Sequence, residues 1–145
     1  EAWDWHRTIM EADMAANLDL EWAKGRDRLS GALQAQLARG REVRALDYQK
    51  ALARIPAINQ GFEEMFSSFD AVLTPSAPGT APGLATTGDP AFCTLWTLCG
   101  MPAVSLPLMS GADGLPLGVQ LVGPRGDDAR LLRTARWLVS RAQAG

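Results

Sequence analysis

Basic residues are missing from a long central stretch of the chain: none occurs between Arg54 and Arg125. Residues 71–124 carry only Asp89 and Asp113 as charges, yet hold eight of the nine prolines and eight glycines. So little charge leaves the stretch little to hold it at a water surface, and the expected reading is buried strands joined by long loops. Clustered Lys and Arg are also scarce relative to acids: the net charge is −2 and the pI about 5.3. That argues against a nucleic-acid or anionic-membrane surface as main partner, since both require concentrated positive charge. The arginines and lysines that gather at 24–54 and 125–141 are accompanied by acids at helical spacing, which describes solvated helix faces. No apolar run approaches the 18 or so residues a membrane span requires. Histidine occurs once, at His6, and no Cys-x-x-Cys exists, so no metal-ligand spacing is present. The only cysteines are Cys93 and Cys99. On a helix they would lie about 9 Å apart along the axis and roughly 120° apart around it. That disfavours a disulfide and suggests two buried thiols in a reducing compartment. No signal-peptide pattern is visible, and the start at Glu1 rather than Met fits either a missing processed segment or a piece cut from something longer.

What is present is organised in three stretches: a helical lead-in over 1–70, strands and Pro/Gly-rich loops over 71–124, and a C-terminal helix over 125–145. The length of 145 residues is enough for one real core. Trp3, Ile9, Met10, Met14, Leu18 and Trp22 recur at three-to-four spacing and predict one helix over 3–23. Leu29, Leu33 and Leu37 predict a second over 28–39, with Gly40 placed as its C-terminal cap. The pattern over 45–69 is helical again, with a kink or break near Ile55 imposed by Pro56. Ala71-Val72-Leu73-Thr74-Pro75 suits a strand running into a loop. Residues 75–90 contain four prolines, three glycines and three threonines and form a loop long enough to line a site. Residues 91–99 predict one or two helical turns carrying Phe92 and Trp96. Residues 101–107 and 117–122 then predict strands joined closely enough to be antiparallel. The strands as a set are expected to be buried. Asp127-Asp128 opens the last helix, with Leu131, Leu132, Ala135, Leu138 and Val139 as its buried stripe.

The residues offer no complete catalytic constellation. Ser67-Ser68 sits between Phe66 and Phe69 on a helical pattern and reads as a pair of helix-end serines. Ser105 reads as a core hydroxyl in an apolar strand, and Ser76 as a turn former in the Pro-rich loop. Nothing in the spacing supports a Cys–His pair from Cys93 or Cys99 with His6. Glu63-Glu64 and Asp127-Asp128 are adjacent rather than facing, so neither is an acid–base dyad. The glycines at 79, 83 and 88 do not open a helix as a phosphate loop does.

A specific order of motifs nevertheless stands out. It comprises Phe69-Asp70-Ala71-Val72-Leu73-Thr74-Pro75, Ala81-Pro82, Phe92, Leu95-Trp96, Gly100-Met101-Pro102-Ala103-Val104-Ser105-Leu106-Pro107 and Leu131-Leu132. Gly114-Leu115-Pro116-Leu117-Gly118-Val119-Gln120-Leu121-Val122-Gly123 is its most specific block. These residues resemble the carboxy-terminal part of the amidase signature family, and Leu29-Ser30 through Gly40, Asp47-Tyr48 and Ala51 resemble that family's helical lead-in. The resemblance implies an α/β class: the C-terminal part of an α/β/α fold on one mixed sheet, with a helix-rich N-terminal half, a few strands and a C-terminal helix. It implies an enzyme that cleaves carboxamide C–N bonds through a serine acyl-enzyme, without cofactor or metal. The family's nucleophilic serine, second serine and lysine lie in segments without a counterpart here, so no catalytic residue is carried over and this chain alone is expected to be inert. What the resemblance does carry over is a substrate-pocket wall of Thr74, Pro75, Pro78, Ala81, Pro82, Phe92 and Trp96, supplying shape and desolvation rather than proton transfer.

Three places in the chain depart from the family's pattern. Thr97 follows Trp96 where Asn is common, Leu108-Met109 follows Pro107 where Cys-Gly is common, and Arg44 replaces a Ser or Thr helix cap. The first two bear on substrate choice; the third weakens a helix start by about 1 kcal/mol. The expected setting is cytoplasmic, with a small-molecule amide substrate in the full-length enzyme and no nucleic acid or membrane. Two other readings stand beside this one: the A subunit of a tRNA-dependent amidotransferase, and a non-catalytic relic that binds small molecules or self-assembles. Interior strands left without neighbours predict self-association.

Overall fold

The computed structural model describes residues 1–143. The chain forms two compact units, Glu1–Ala57 and Ile58–Gly145.

The first unit is helical. α1 (Ala2–Asn17) and α2 (Asp19–Gly25) divide the apolar stripe that the spacing predicts as one helix; the backbone leaves helical geometry at Leu18, with φ −105° and ψ 24°. α3 (Gly31–Glu42) follows, capped by Ser30, whose Oγ accepts from the Leu33 amide at 3.3 Å. α4 (Ala45–Leu52) begins at Arg44, which offers no side-chain cap, as the departure from the family's Ser or Thr implies. α1 packs against α3 and α4. The sequence places Gly40 after α3, but the structure puts it inside the helix and buries it. A Cβ there would lie 1.9 Å from the Glu11 carbonyl oxygen, so the absence of a side chain is what lets α1 and α3 cross so closely. Leu37 beside it is fully buried. Arg39 reaches over the crossing and donates from Nε to both carboxylate oxygens of Glu11, at 2.9 and 3.1 Å. Glu11 is only 5 % exposed, and this pairing is what makes a buried carboxylate tolerable.

α5 (Ile55–Phe66) starts shortly after α4 ends, with Pro56 in its first turn, where a missing N–H breaks no helical hydrogen bond. The predicted break near Ile55 is therefore present.

The second unit contains a three-stranded sheet in the order β1-β3-β2, with β1 (Val72–Pro75), β2 (Ala103–Ser110) and β3 (Pro116–Val122). Both pairings are antiparallel, including the predicted β2–β3 pair. A register shift between Leu106 and Met109 falls where Pro107 removes a ladder donor. Residues alternate between the two faces of the sheet. Leu121 on β3 packs with Val104 and Leu106 against Leu131, Ala135 and Leu138 of α7 (Asp128–Ala142). Val122 packs on the opposite side with Phe66 of α5, Met101, and Trp96 and Cys99 of α6 (Thr94–Cys99). The layering is thus helix, sheet, helix. The expectation of uniformly buried strands holds only at the C-terminal end of β3; β1 and β2 alternate between half-buried and exposed, because successive side chains point to opposite faces of the sheet and only one face of each outer strand is covered.

Local signals set the ends of the helices. Gly100 ends α6 in the left-handed region at φ 64°, and the Met101 amide returns to the Trp96 carbonyl at 3.0 Å. Asp127 caps α7 by accepting from the Arg130 amide at 3.0 Å. Leu132 departs from the predicted stripe and is exposed. Arg130 ties α7 to the turn after α5, donating to the Phe69 carbonyl at 3.1 Å and to Asp70 Oδ1 at 3.2 Å.

Candidate functional site

Several polar groups of the second unit gather where β1 ends. Thr74, Gln120 and Ser105 stand side by side across the three strands in one register row. Ser76 extends the β1–β3 ladder by one residue, its amide donating to the Gly118 carbonyl at 3.0 Å. The Ser76 and Ser105 hydroxyls, on the two outer strands, meet at 2.7 Å above Gly118. A Cβ on Gly118 would lie 2.6 Å from one hydroxyl and 2.7 Å from the other, so this glycine is what allows the pair to close across the central strand. Ser105 is exposed rather than a core hydroxyl, and the Ser76 side chain bonds across the sheet rather than forming a local turn.

Gln120 is the central polar group. It is 6 % exposed, and its Nε2 donates to Thr74 Oγ1 at 3.1 Å and to the Phe92 carbonyl at 2.9 Å. One side chain thereby joins the end of the Thr-Pro strand to the aromatic turn that closes the long loop. The loop is held at two further points. Thr80 Oγ1 donates to Asp113 Oδ2 at 2.7 Å, and Asp89 accepts from the Ala91 amide at 2.9 Å. The Thr80 hydroxyl and the Leu115 amide hold the Asp113 carboxyl below the usual carboxylate range. Between these anchors residues 81–90 are exposed.

The residues expected to form a pocket wall fall into three groups. Thr74 and Phe92 are half-buried and linked through Gln120. Pro75 and Pro78 line a shallow cleft of about 340 Å³ with Leu73, Met109 and Leu117. Trp96 packs into the core with its ring edge-on to Phe62 at 5.4 Å, while Ala81 and Pro82 are exposed on the loop. Gln120 escapes a sequence reading as a site residue, since only the strand register places it opposite Thr74. Thr97 is exposed on α6, and Met109 lies at the register shift of β2.

The arrangement fixes a wall beside a largely apolar cleft, but among the described residues it has no means of moving a proton: the Ser76–Ser105 pair bonds hydroxyl to hydroxyl, with no Lys, His or carboxylate joined to either. Ser67 lies past the end of α5 and donates to the Glu64 carbonyl at 2.6 Å. The cysteines are not both buried. Cys93 is exposed; only Cys99 is enclosed, and burial raises its thiol pKa. Buried Asn59 lies beside Cys99, and assigning its amide O and N by hydrogen-bonding sense lets it donate to the Cys99 carbonyl and accept from Arg125, both at 3.3 Å. No group of three or more His, Cys, Asp or Glu gathers among the described residues. No described helix is long and apolar enough to cross a membrane.

On the opposite face, Phe69, Leu73, Leu121 and Trp137 line an open groove of about 650 Å³ between β1 and α7, with Arg130 and Arg133 on its rim.

Residues 7–132 match the family model described as Amidase. In Cereibacter sphaeroides (strain ATCC 17029 / ATH 2.4.9), the A subunit of glutamyl-tRNA(Gln) amidotransferase is 36 % identical over 119 residues, covering 75 % of this chain and 22 % of that protein. Its counterpart in Roseobacter denitrificans is 37 % identical over 116 residues, covering 73 % of this chain and 21 % of its own length. The chain therefore spans about a fifth of the curated relatives it matches. A crystal structure of an amidase superposes on 97 % of this chain, and on 35 % of its own, with a TM-score of 0.87 and 25 % identity. A 6-aminohexanoate cyclic dimer hydrolase in complex with its substrate shares the fold, at TM-score 0.72 and 19 % identity, over 91 % of this chain and 33 % of its own.

Proposed function

This chain belongs to the amidase family, and from that premise we propose that it forms the C-terminal portion of an amidase-type hydrolase and supplies part of its substrate-pocket wall. The parent enzyme cleaves a carboxamide C–N bond. A serine hydroxyl outside these residues attacks the carbonyl carbon, ammonia or an amine leaves, and water releases the acid from the acyl-enzyme. Thr74, Pro75, Pro78, Ala81, Pro82, Phe92 and Trp96 shape and dry the acyl side of that pocket. The setting is cytoplasmic and the substrate a small amide. The observation that carries the reading is the Thr74–Gln120–Phe92 link. It fixes the Thr-Pro strand end against the aromatic turn in a chain that follows an amidase crystal structure over 97 % of its length.

A second reading has its own support. The curated relatives at 36–37 % identity are amidotransferase A subunits, which favours a parent protein that passes ammonia to a partner. A third, a non-catalytic relic, predicts self-association through exposed apolar side chains: Phe69 at 63 %, Leu73 at 60 % and Trp137 at 59 % exposure.

The test has two arms. Incubated with a panel of carboxamides, the chain alone releases no ammonia above background; robust turnover overturns the reading. Spliced in place of the matching stretch of the amidase it superposes on, the chain supports hydrolysis with an altered acyl preference. A well-folded but inactive splice also counts against it. Ammonia transfer to a tRNA-bound acceptor, seen only with a companion chain, selects the amidotransferase reading.

A further inference from the structure

The Gln120 side chain is buried, joins two elements distant in sequence, and belongs to neither hydrophobic cluster. A buried amide is costly unless its hydrogen bonds are made. Here both observed bonds leave from one nitrogen: one to the Thr74 hydroxyl, 46 positions away in sequence, and one to the Phe92 carbonyl, 28 positions away. Among the described residues no backbone amide donates to the Phe92 carbonyl, which lies before the start of α6. Thr74 in turn donates to the Pro75 carbonyl at 3.1 Å, which leaves its oxygen lone pair to receive the amide. The three groups form one directed chain: Gln120 N–H to Thr74 oxygen, and Thr74 O–H to Pro75 carbonyl. No strand pairing holds residues 91–93, and the preceding ten residues are all exposed.

We propose that Gln120 is a positioning residue that sets the separation between the strand end at Thr74 and the aromatic turn at Phe92, and so the width of the acyl-binding wall. This rests on the proposed function for its catalytic consequence, though not for its structural one. Removing the amide donor frees the turn while leaving the core around Val122 in place. Any substrate packed between strand and turn then meets a looser wall in ground state and transition state alike, which raises KM and leaves kcat unchanged.

The structural arm uses the full chain. Gln120→Met keeps the volume and removes both bonds. Amides of residues 91–96 are expected to lose about tenfold in hydrogen-exchange protection, the equivalent of roughly one net hydrogen bond, while β3 amides keep theirs. Unchanged protection at 91–96 overturns the proposal. Should the Met variant fail to fold, Gln120→Glu decides. Its ionised carboxylate accepts but does not donate, whereas its protonated form restores one donor. Protection at 91–96 should therefore recover as pH is lowered; pH-independent protection overturns the proposal. The kinetic arm uses the amidase splice. With Gln120 it hydrolyses amide, and once Gln120→Met is introduced its KM rises about tenfold at unchanged kcat. Loss of kcat at constant KM contradicts the positioning role. An inactive splice that still carries Gln120 removes the functional reading and leaves the exchange result to decide the structural one.

Discussion

Substituting Gly40 with alanine sets two effects of opposite sign against each other. In a free helix the change stabilises by about 1 kcal/mol, because Ala loses less backbone entropy than Gly. In this protein the added Cβ would stand 1.9 Å from the Glu11 oxygen, 2.6 Å from the Glu11 carbonyl carbon and 2.9 Å from the Ala15 Cβ. Two of these atoms are backbone, so no side-chain rotation relieves the contact. Reaching even 3.0 Å from the oxygen requires α1 and α3 to part by at least the difference, 3.0 − 1.9 = 1.1 Å. A gap of about 1 Å forfeits a quarter to a half of each dispersion contact across it. A buried leucine makes about 50 such contacts of roughly 0.15 kcal/mol, so separating fully buried Leu37 from its partners costs about 3 kcal/mol. The net is a destabilisation of about 2 kcal/mol, or a melting temperature lower by about 10 °C for a unit of this size. Thermal unfolding followed by circular dichroism measures it. Gly31→Ala is the control: it lies in the same helix, and a Cβ there meets nothing within 4 Å. A Gly40→Ala chain that melts at or above the parent, while Gly31→Ala is neutral or stabilising, refutes the close crossing as the reason for the glycine.

His6 lies in α1, and desolvation depresses its pKa below the ordinary 6.5. Below pH 6.5 the unfolded chain therefore binds more protons than the folded one, so stability present above that pH is lost as pH falls through the depressed folded value. Chemical denaturation at about pH 7.5 and about pH 5.5, either side of the ordinary histidine value, should show the loss, and His6→Gln should abolish it; an identical loss in the variant would rule His6 out as its source. Alkylation by iodoacetamide at mildly alkaline pH should modify exposed Cys93 first and reach Cys99, whose thiol pKa is raised by burial, only on unfolding. Equal rates for the two in the folded chain would contradict the packing of α6. Light scattering of the chain at high concentration should show oligomers, and Leu73→Lys, which places charge on the edge strand β1, should shift them toward monomer. A parent that is monomeric throughout would mean that the exposed edge does not drive association.

Much of the local structure is legible in the amino-acid order because it depends on neighbours. Pro56 marks the α4–α5 break, Asp127 the start of α7, and Gly111 and Gly114 the short connection that makes β2 and β3 antiparallel. The family, too, is legible, because the block from Gly114 to Gly123 keeps its order and spacing. Where structure departs from expectation, the deciding partner lies far along the chain. Gly40 has the look of a cap until α1 is laid against it, and Ser105 that of a core residue until β1 brings Ser76 across Gly118. Cys93 stands exposed at the start of α6, and only the packing of that helix against α5 and β3 encloses Cys99 at its end.

Short-range order set the type and succession of most helices and strands and the family they build, since periodicity, proline and caps act over a few residues. Tertiary structure alone decided which glycine admits a crossing helix, which hydroxyls meet, and that Gln120 joins Thr74 to Phe92. The physical reason is strand register: a shift of one residue would turn Gln120 to the other face of the sheet, and no local propensity records that choice.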